Sequence, residues 1–538
     1  MVFENEAAFE EAVIRNLQAN GWQNGVIKHP SEQDLINNWA SILFENNNTV
    51  DRLNNCPLTK TEMNQILEQV KSLRTPLALN GFINGGSVSI TRDNSADKAH
   101  YGKEVSLKIF NRREIAGGQS RYQIAQQPHF DTSSKLVGDR RGDLLLLING
   151  MPVIHIELKT TGIPVAEAQN QIAKYLHEGV FAGLFSLVQI FVAMNPNEMV
   201  YFANPGSGNT INERFCFHWA DFHNEPINDW KTITSTLLSI PLAHQMIGYY
   251  TVADDSDGCL KVMRSYQYYA AAAISTKVAK VNARKQWGEP GVMGGYIWHT
   301  TGSGKTMTSF KSAQLIANSK DADKVIFLMD RVELGTQSLA EYNAFADADE
   351  EVQGTETTAV LRGKLTSSSS NDVLIVTSIQ KMSRIHAEEG GINDNELERM
   401  RNKRIVFIID ECHRSTFGEM LQTIKETFPD ALFFGFTGTP IHEENAKKMS
   451  TTTDVFGDEL HRYSIADGIR DGNVLGFDPY MVLTYKDKDI RRAVALEKAH
   501  AVDDQEAISD SQKSKTYYYF MNDAPMAGLK NADTGIVK

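Results

Sequence analysis

This 538-residue chain has few cysteines, no excess of positive charge and no long apolar run. The four cysteines lack the spacing of a disulfide framework or of a structural zinc site, so we predict reduced thiols. They are Cys56, Cys216, Cys259 and Cys412. A net charge of -13 argues against a general polyanion binder, because DNA affinity depends on lysine and arginine neutralising phosphates. Any DNA contact must therefore come from a local basic face or be shared with a partner subunit.

Membrane-spanning and secretory signals are missing as well. The longest nearly apolar run, Val180 to Met194, is interrupted by Ser186 and Gln189 and is too short to span a bilayer. The first residues include Glu4 and Glu6, where a secretory signal would be basic and then apolar. We therefore predict a cytoplasmic protein. At roughly 150 residues per domain, the length predicts about three or four domains.

A glycine- and serine-rich turn stands between an apolar run and a helix-forming segment, Met307 to Ala317. In this order, a phosphate-binding loop turns backbone N–H groups and a helix N-terminus toward the anion. Its lysine reaches the β- and γ-phosphates, and its hydroxyl binds magnesium. His299 replaces the first glycine of the strict motif, a position that is looser in helicase-like NTPases. We assign ATP binding to Thr301, Gly302, Ser303, Gly304, Lys305 and Thr306, with Thr306 also a magnesium ligand.

Continuous apolar runs alternate with helical patterns after this loop. This alternation predicts an α/β fold with a parallel sheet covered on both faces, which binds its ligand at the carboxyl ends of the strands. Asp410 follows one such run and is predicted to hold Mg²⁺, while Glu411 is placed to activate the attacking water. Upstream, the amide of Gln267 offers a donor and an acceptor to an adenine edge. The alternative for Gln267 is an ordinary glutamine on a helix surface.

A second group of polar residues belongs to a predicted hairpin, in which two apolar runs flank Asn149-Gly150. The pairing register of the two strands decides whether Asp143 and Glu157 can form one site. A strict two-residue turn would place Asp143 and Glu157 on opposite faces, whereas a bulge or an odd loop would pair them directly. Two carboxylates on neighbouring strands form an oxygen site suited to Mg²⁺, which can activate a water for attack on a phosphodiester. Lys159 could then orient the water or neutralise charge developing on the phosphate.

Downstream of the hairpin, a helix is predicted over 165–178, with Gln171 and Tyr175 on one face. The alternative to a catalytic site is a β-hairpin with a surface Glu-x-Lys pair. Spacing alone leaves both possibilities open.

Together these motifs resemble the superfamily-two helicase and translocase motor, and more narrowly the motor (restriction) subunit of type I restriction enzymes. Asp143, Glu157 and Lys159 match the PD-(D/E)xK nuclease pattern, with Gly142 where proline is usual. Gln171 and Tyr175 match the Q-x-x-x-Y helix, and Glu10 matches the acidic residue of the first helix. The motor resemblance is carried by Gln267, 300–306, Asp330-Arg331, Gln337, 377–381, 410–413 and 437–440.

The resemblance implies a PD-(D/E)xK endonuclease-like domain over 1–235 and a linker with an adenine-reading helix over 236–285. It further implies a RecA-like motor lobe over 286–470, and the start of a second lobe or a truncated tail over 471–538. The implied cofactors are ATP and Mg²⁺. The implied partners are double-stranded DNA and the methylase and specificity subunits, with no membrane.

The implied activity is translocation driven by ATP, followed by cutting of unmodified double-stranded DNA. In these motors an arginine from the second lobe completes the ATPase site, so we expect this chain alone to hydrolyse ATP poorly. A superfamily-two translocase with a non-cleaving DNA-binding N-terminal domain is the alternative function. A docking module with a vestigial site is a third reading.

Overall fold

The computed structural model describes residues 3, 5–115, 117–130, 140–206, 210–254, 258–329, 357–369, 372–385, 393–410, 412, 417–441, 451–474 and 487–523. The chain divides into two compact units, Met1–Val474 and Leu475–Lys538. Across the described ranges, no helix combines the length and the apolar character needed to cross a membrane.

The amino-terminal half of the first unit alternates helices with short strands. Its helices are α1 (Glu6–Ala19), α2 (Glu32–Asn47), α3 (Lys60–Ser72), α4 (Pro76–Asn84), α5 (Val165–His177), α6 (Trp230–Ser235) and α7 (Leu242–Gly248). Its strands are β1 (Val26–Lys28), β2 (Ser87–Thr91), β3 (Glu104–Lys108), β4 (Tyr122–Gln126), β5 (His129–Phe130), β6 (Arg140–Arg141), β7 (Leu144–Ile148), β8 (Met151–Leu158), β9 (Ile190–Asn195), β10 (Glu198–Ala203), β11 (Thr251–Asp254) and β12 (Cys259–Val262).

The central sheet of this half is mixed and has the strand order β1-β4-β7-β8-β9-β10. Strands β7 and β8 lie in the middle, and every residue of both is buried. Burial on both faces explains why their sequences read as continuous apolar runs instead of alternating ones. The predicted Asn-Gly hairpin is confirmed, as is the predicted helix over 165–178, which is α5.

A buried ion network joins α3 to the β2–β3 hairpin. The guanidinium of Arg92, which is fully buried, donates to Glu62 Oε2 at 2.7 Å and to Asp97 Oδ2 at 3.2 Å. Its third contact is the Cys56 carbonyl at 3.1 Å. One cation therefore neutralises two buried carboxylates from different segments, so its loss would leave Glu62 without a cation and Asp97 with only His100 Nδ1, 3.0 Å away.

We expect Arg92→Ala to lower the free energy of unfolding by roughly 3–5 kcal/mol, because two buried carboxylates lose their cation. Urea and thermal unfolding of the variant would measure this loss. The matched control is Lys71→Ala, which removes an exposed pair with Glu68 and should cost at most about 1 kcal/mol. Equal effects of the two substitutions would show that the buried network does not stabilise the fold.

The second half of the unit is built on a parallel sheet. Its strands are β13 (Gly295–His299), β14 (Lys324–Met329), β15 (Leu374–Ser378), β16 (Ile405–Ile409), β17 (Leu432–Thr437) and β18 (Glu459–Tyr463). They lie side by side in the order β15-β14-β16-β17-β13-β18, and neighbouring strands in this order run parallel. The predicted parallel sheet is therefore confirmed.

Helices cover both faces of this sheet. They are α8 (Ser265–Arg284), α9 (Lys305–Ser319), α10 (Thr358–Thr366), α11 (Ile379–Ser383), α12 (Asp394–Arg401), α13 (Phe417–Thr427), α14 (Thr452–Phe456) and α15 (Ile465–Arg470). Two separate apolar clusters result: Val325 and Phe327 belong to the one that includes α8 and α9, whereas Ile326 and Leu328 belong to the other. This alternation along β14 is the signature of a strand buried on both sides.

The second unit is helical where it is described. Its helices are α16 (Asp487–Ala499), α17 (Asp504–Ser509) and α18 (Ser511–Tyr518), followed by a single π-turn over 519–523. The assignment of 471–538 to the start of a second lobe or to a truncated tail remains a prediction. The domain boundaries near 235, 285 and 470 remain predictions.

Candidate active sites

The hairpin between β7 and β8 decides whether the two carboxylates meet. The strands pair directly across the two-residue turn Asn149-Gly150, but the register then shifts by one, with Val153 as the extra residue. Continued one residue past Leu144, this register sets Asp143 opposite Glu157. The β-bulge that the sequence required for a shared face is therefore present.

Asp143, Glu157 and Lys159 converge at this end of the hairpin. Asp143 Oδ2 accepts a 2.7 Å hydrogen bond from the Leu158 backbone N–H, which holds it beside β8. Lys159 Nζ lies 3.9 Å from Glu157 Oε1 and 3.4 Å from Glu6 Oε1. Lys159 Nζ also donates to the Leu158 carbonyl at 2.9 Å, so the ammonium group is surrounded by oxygen atoms at this end of the hairpin.

Burial controls the protonation of the carboxylate pair. Desolvation raises the pKa of Glu157 to about 8, against the opposing attraction of Lys159. Desolvation and the neighbouring charge of Glu157 likewise raise the pKa of Asp143 well above its usual value. Two ionised carboxylates at this position need a cation to compensate them.

These pKa shifts predict a pH-dependent stability that magnesium should change. Because the carboxyl pKa values are raised in the folded chain, the folded chain still holds protons at a pH where the unfolded chain has released them. The metal-free chain therefore loses stability as the pH rises from the pKa of an unfolded carboxyl group through about 8. Mg²⁺ held by this pair would bind the ionised form, and it should raise the unfolding temperature more at pH near 9 than near 6. Thermal unfolding with and without MgCl₂ measures this difference. An Asp143→Ala control should show little of it, and a magnesium effect independent of pH would contradict the assignment.

Helix α5 supports the backbone next to the carboxylates. Tyr175 donates its hydroxyl to the Arg141 carbonyl at 2.9 Å, and Gln171 Nε2 donates to the Tyr175 oxygen at 2.8 Å. The i,i+4 spacing predicted from the sequence therefore produces a hydrogen-bonded pair, directed at the strand just before Asp143. Catalytic roles for Gln171 and Tyr175 remain predictions.

A further carboxylate comes from the first helix. Glu10 on α1 is only 3% exposed, and its Oε2 accepts from Gln127 Nε2 at 3.0 Å. Its charge contributes to the raised pKa of both Asp143 and Glu157. The helix thus brings a third acidic group into the electrostatic range of the pair.

The donor set fits a magnesium ion. Among the described residues, no group of three or more His, Cys, Asp or Glu side chains is arranged as a complete ligand set. Mg²⁺ does not need one, because it usually keeps several waters and binds through one or two carboxylates. Within the same part of the chain, Oε1 of Glu157 and Oε1 of Glu10 are buried without a hydrogen-bond donor. Asp143 and Glu157 are therefore the residues that would hold the ion.

The phosphate loop joins β13 to α9. Gly302 and Gly304 adopt φ values of +80° and +74°, a left-handed conformation that favours glycine. Helix α9 begins directly at Lys305, so its N-terminus and the lysine face the same space. Thr306 follows as the second residue of the helix. The backbone therefore has the form that an anion-binding loop requires.

Helix α8 is fastened to this loop by two side chains. Tyr266 Oη and Gln267 Nε2 both donate to the Ser303 carbonyl, at 2.8 and 3.2 Å, and Gln267 Oε1 accepts from the Arg264 N–H at 3.0 Å. A Cβ on Gly304 would lie 2.7 Å from Gln267 Nε2, so glycine is needed for this close approach. Both ends of the Gln267 amide thus contact protein, and its reading of adenine remains a prediction.

The carboxyl ends of the strands meet beside the loop. Asp410 directly follows β16 and is 4% exposed. A Cβ built on Gly438, just after β17, would lie 3.5 Å from Lys305 Nζ and 3.4 Å from Thr301 Oγ1. The segment 437–440 therefore lies against the phosphate loop. Other predicted motor residues lie outside the described ranges, namely Glu411, His413, Asp330, Arg331 and Gln337.

A histidine pair behind the loop was not predicted. His299 Nε2 lies 3.0 Å from His461 Nδ1 on the neighbouring strand β18, and both rings are buried. Burial lowers the pKa of His461 to about 4 and that of His299 well below its usual value, so both are neutral near pH 7 and one donates to the other. The side chain that replaces glycine in the loop motif is thus used for packing between strands. Sequence spacing gave no signal for it, because β18 was not identified as a strand.

Comparison with known proteins places both sites in matched segments. Residues 3–210 match the family model "Type I restriction enzyme R protein N terminus", and residues 266–516 match "SWI2/SNF2 ATPase". A Mycoplasma pneumoniae protein, the C-terminal part of the putative type I restriction enzyme MpnIIP endonuclease subunit, is 37% identical over 210 residues, which are 39% of this chain and 99% of that protein. The chain belongs to the family of type I restriction enzyme endonuclease subunits.

Longer members of the family match most of the chain. The SsaAORF53P endonuclease subunit of Staphylococcus saprophyticus is 37% identical over 491 residues, or 91% of this chain and 48% of that protein. The SauMSSORF170P endonuclease subunit of Staphylococcus aureus is 35% identical over 492 residues, or 91% and 49%. The chain thus spans about half the length of these relatives. The carboxylate pair falls in the R-protein segment and the phosphate loop in the ATPase segment.

Proposed function

We propose that this chain is the ATP-dependent DNA translocase and Mg²⁺-dependent endonuclease portion of a type I restriction enzyme, cutting unmodified double-stranded DNA after translocation. The observation that carries the proposal is the convergence of Asp143, Glu157 and Lys159 at a bulged hairpin. That hairpin belongs to a chain which also carries a phosphate-binding loop and matches an ATPase family. One polypeptide thereby combines the residues for a motor with those for a nuclease.

In the motor, the loop from Thr301 to Thr306 would hold the ATP phosphates. Its N–H groups and the ammonium of Lys305 would neutralise the charge on the β- and γ-phosphates. Thr306 and Asp410 would hold Mg²⁺, which would supply positive charge against the phosphates, and Glu411 would activate the attacking water. The contacts of α8 with Ser303 support this assignment, because they fix the loop from behind.

In the nuclease, Asp143 and Glu157 would hold Mg²⁺ at the end of β8. The ion would supply Lewis acidity and an activated water for attack on the phosphodiester. Lys159 would place its ammonium against the phosphate, where negative charge develops. Gln171 and Tyr175 would hold the backbone next to Asp143 in place, because Tyr175 donates a hydrogen bond to the Arg141 carbonyl and Gln171 donates to Tyr175.

Methylase and specificity subunits would recognise the DNA and anchor this chain to it. The net charge of -13 supports shared anchoring, since this chain is not a general polyanion binder. A second motor lobe would complete the ATPase site, as the resemblance implies.

The direct test uses the assembled enzyme on two plasmids that differ only in methylation of the recognised site. We expect double-strand cleavage of the unmodified plasmid alone, and only when ATP and Mg²⁺ are both supplied. ATP-driven translocation with no cleavage in any divalent metal would instead favour a translocase whose N-terminal domain only grips DNA. Cleavage that persists in EDTA would exclude the magnesium site.

A further inference from the structure

His155 lies directly behind Glu157 on β8. Its Nε2 is 3.2 Å from Glu157 Oε2, and both side chains are fully buried. The form of Glu157 that would hold a metal is the ionised one, which can only accept hydrogen bonds, so in that form His155 Nε2 carries the proton. The two oxygens of Glu157 therefore differ: Oε2 is occupied by the histidine, whereas Oε1 is buried without a hydrogen-bond donor and lies 3.9 Å from Lys159 Nζ.

Aromatic side chains fix the position of the His155 ring. Ring centroids of Phe181, Phe130 and Phe191 lie at 5.3, 6.0 and 6.0 Å, each steeply inclined to the imidazole. Edge-to-face packing of this kind favours one ring orientation. The imidazole therefore cannot turn away from Glu157 without disturbing several neighbours.

Gly142 provides the space for this ring. A Cβ at position 142 would lie 2.7 Å from His155 Cε1 and 2.8 Å from the Phe130 ring. Such a contact is too close for any side chain, including the proline that the nuclease pattern usually has there. Glycine at position 142, directly before Asp143, thus leaves the space that the ring of His155 occupies.

We propose that His155 is a positioning residue for the nuclease: it ties Glu157 Oε2 and thereby directs Oε1 toward the magnesium ion. This inference rests on the proposed endonuclease function. A glutamate side chain has several rotatable bonds, and a hydrogen bond that fixes its carboxylate spares the metal the cost of ordering it. Groups that orient a metal ligand in this way typically change metal affinity or activity by about 10- to 100-fold.

Two substitutions separate the hydrogen bond from the packing. His155→Phe keeps an aromatic ring and removes the donor, whereas His155→Gln retains an N–H donor in a smaller side chain. The probe is Mn²⁺ as a stand-in for Mg²⁺, with binding to the nucleotide-free chain followed by electron paramagnetic resonance. We expect His155→Phe to weaken Mn²⁺ binding by about 10- to 100-fold and His155→Gln to recover most of it. Asp143→Ala identifies the part of the signal that belongs to this site.

In the assembled enzyme, His155→Phe should raise the Mg²⁺ concentration needed for half-maximal DNA cleavage by a similar factor, while ATP hydrolysis stays unchanged. If Asp143→Ala abolishes metal binding but His155→Phe binds Mn²⁺ like the wild type, the positioning role is wrong and the nuclease assignment stands. If Asp143→Ala leaves both binding and cleavage intact, the proposed function fails and this inference with it. Equal losses in the Phe and Gln variants, with equal falls in unfolding temperature, would mean that the ring only packs.

Discussion

Replacing Asp143 by alanine is expected to lower DNA cleavage by the assembled enzyme by roughly 10³-fold, the scale of removing a group that stabilises the transition state electrostatically. The physical reason is the loss of one of the two carboxylates that would hold the metal. Glu157 alone, with Lys159 3.9 Å away, would retain too little negative charge to compete for a strongly hydrated ion. ATP hydrolysis and translocation should continue, because the phosphate loop belongs to a different sheet.

A stability measurement separates this effect from misfolding. Removing Asp143 relieves the desolvation of its carboxyl group and its repulsion with Glu157, and these gains offset the hydrogen bond lost from the Leu158 N–H, so the metal-free variant should unfold at a temperature close to that of the wild type. It should, however, lose most of the rise in unfolding temperature that Mg²⁺ gives the wild type. Glu68→Ala, which removes an exposed carboxylate on α3, is the matched control and should change neither cleavage nor the magnesium response. Normal cleavage by Asp143→Ala would end the case for a nuclease at this hairpin.

Replacing Lys305 by alanine is expected to lower ATP hydrolysis by the assembled enzyme by roughly 10²- to 10³-fold. The lysine begins α9, and its Nζ lies close to Gly438 at the carboxyl end of β17. No other cation of the loop 300–306 can take its place. Translocation should stop, and cleavage that depends on translocation should stop with it. Steady-state phosphate release and a triplex-displacement assay would measure the two steps.

The control for Lys305 is Lys280→Ala, which removes an exposed lysine from α8, and its ATPase rate should equal that of the wild type. The two active-site variants should also differ from one another. Asp143→Ala should translocate without cutting, whereas Lys305→Ala should do neither. Unimpaired restriction by both Lys305→Ala and Lys159→Ala would favour a docking module with a vestigial site.

Much of the motor half follows from local sequence. Strands β14, β16 and β17 are continuous apolar runs, and only a parallel sheet buried on both faces accommodates such runs between helices. The loop from Thr301 to Thr306 can also be predicted from the sequence, because glycine is required where φ is positive and a helix must follow. The partner of His299 could not be found in this way, since His461 is brought beside it only by the pairing of β13 with β18.

In the nuclease half, the sequence by itself determined the residue types, the hairpin and the face shared by His155, Glu157 and Lys159, because side chains alternate along a strand. It left open whether Asp143 joins them. Only the tertiary structure decided that point. The single extra residue Val153 shifts the register between β7 and β8, and beyond this bulge it changes which residues of the two strands share a face. Whether a bulge forms depends on how the hairpin packs among its neighbours, and the spacing of the motif residues does not determine that packing.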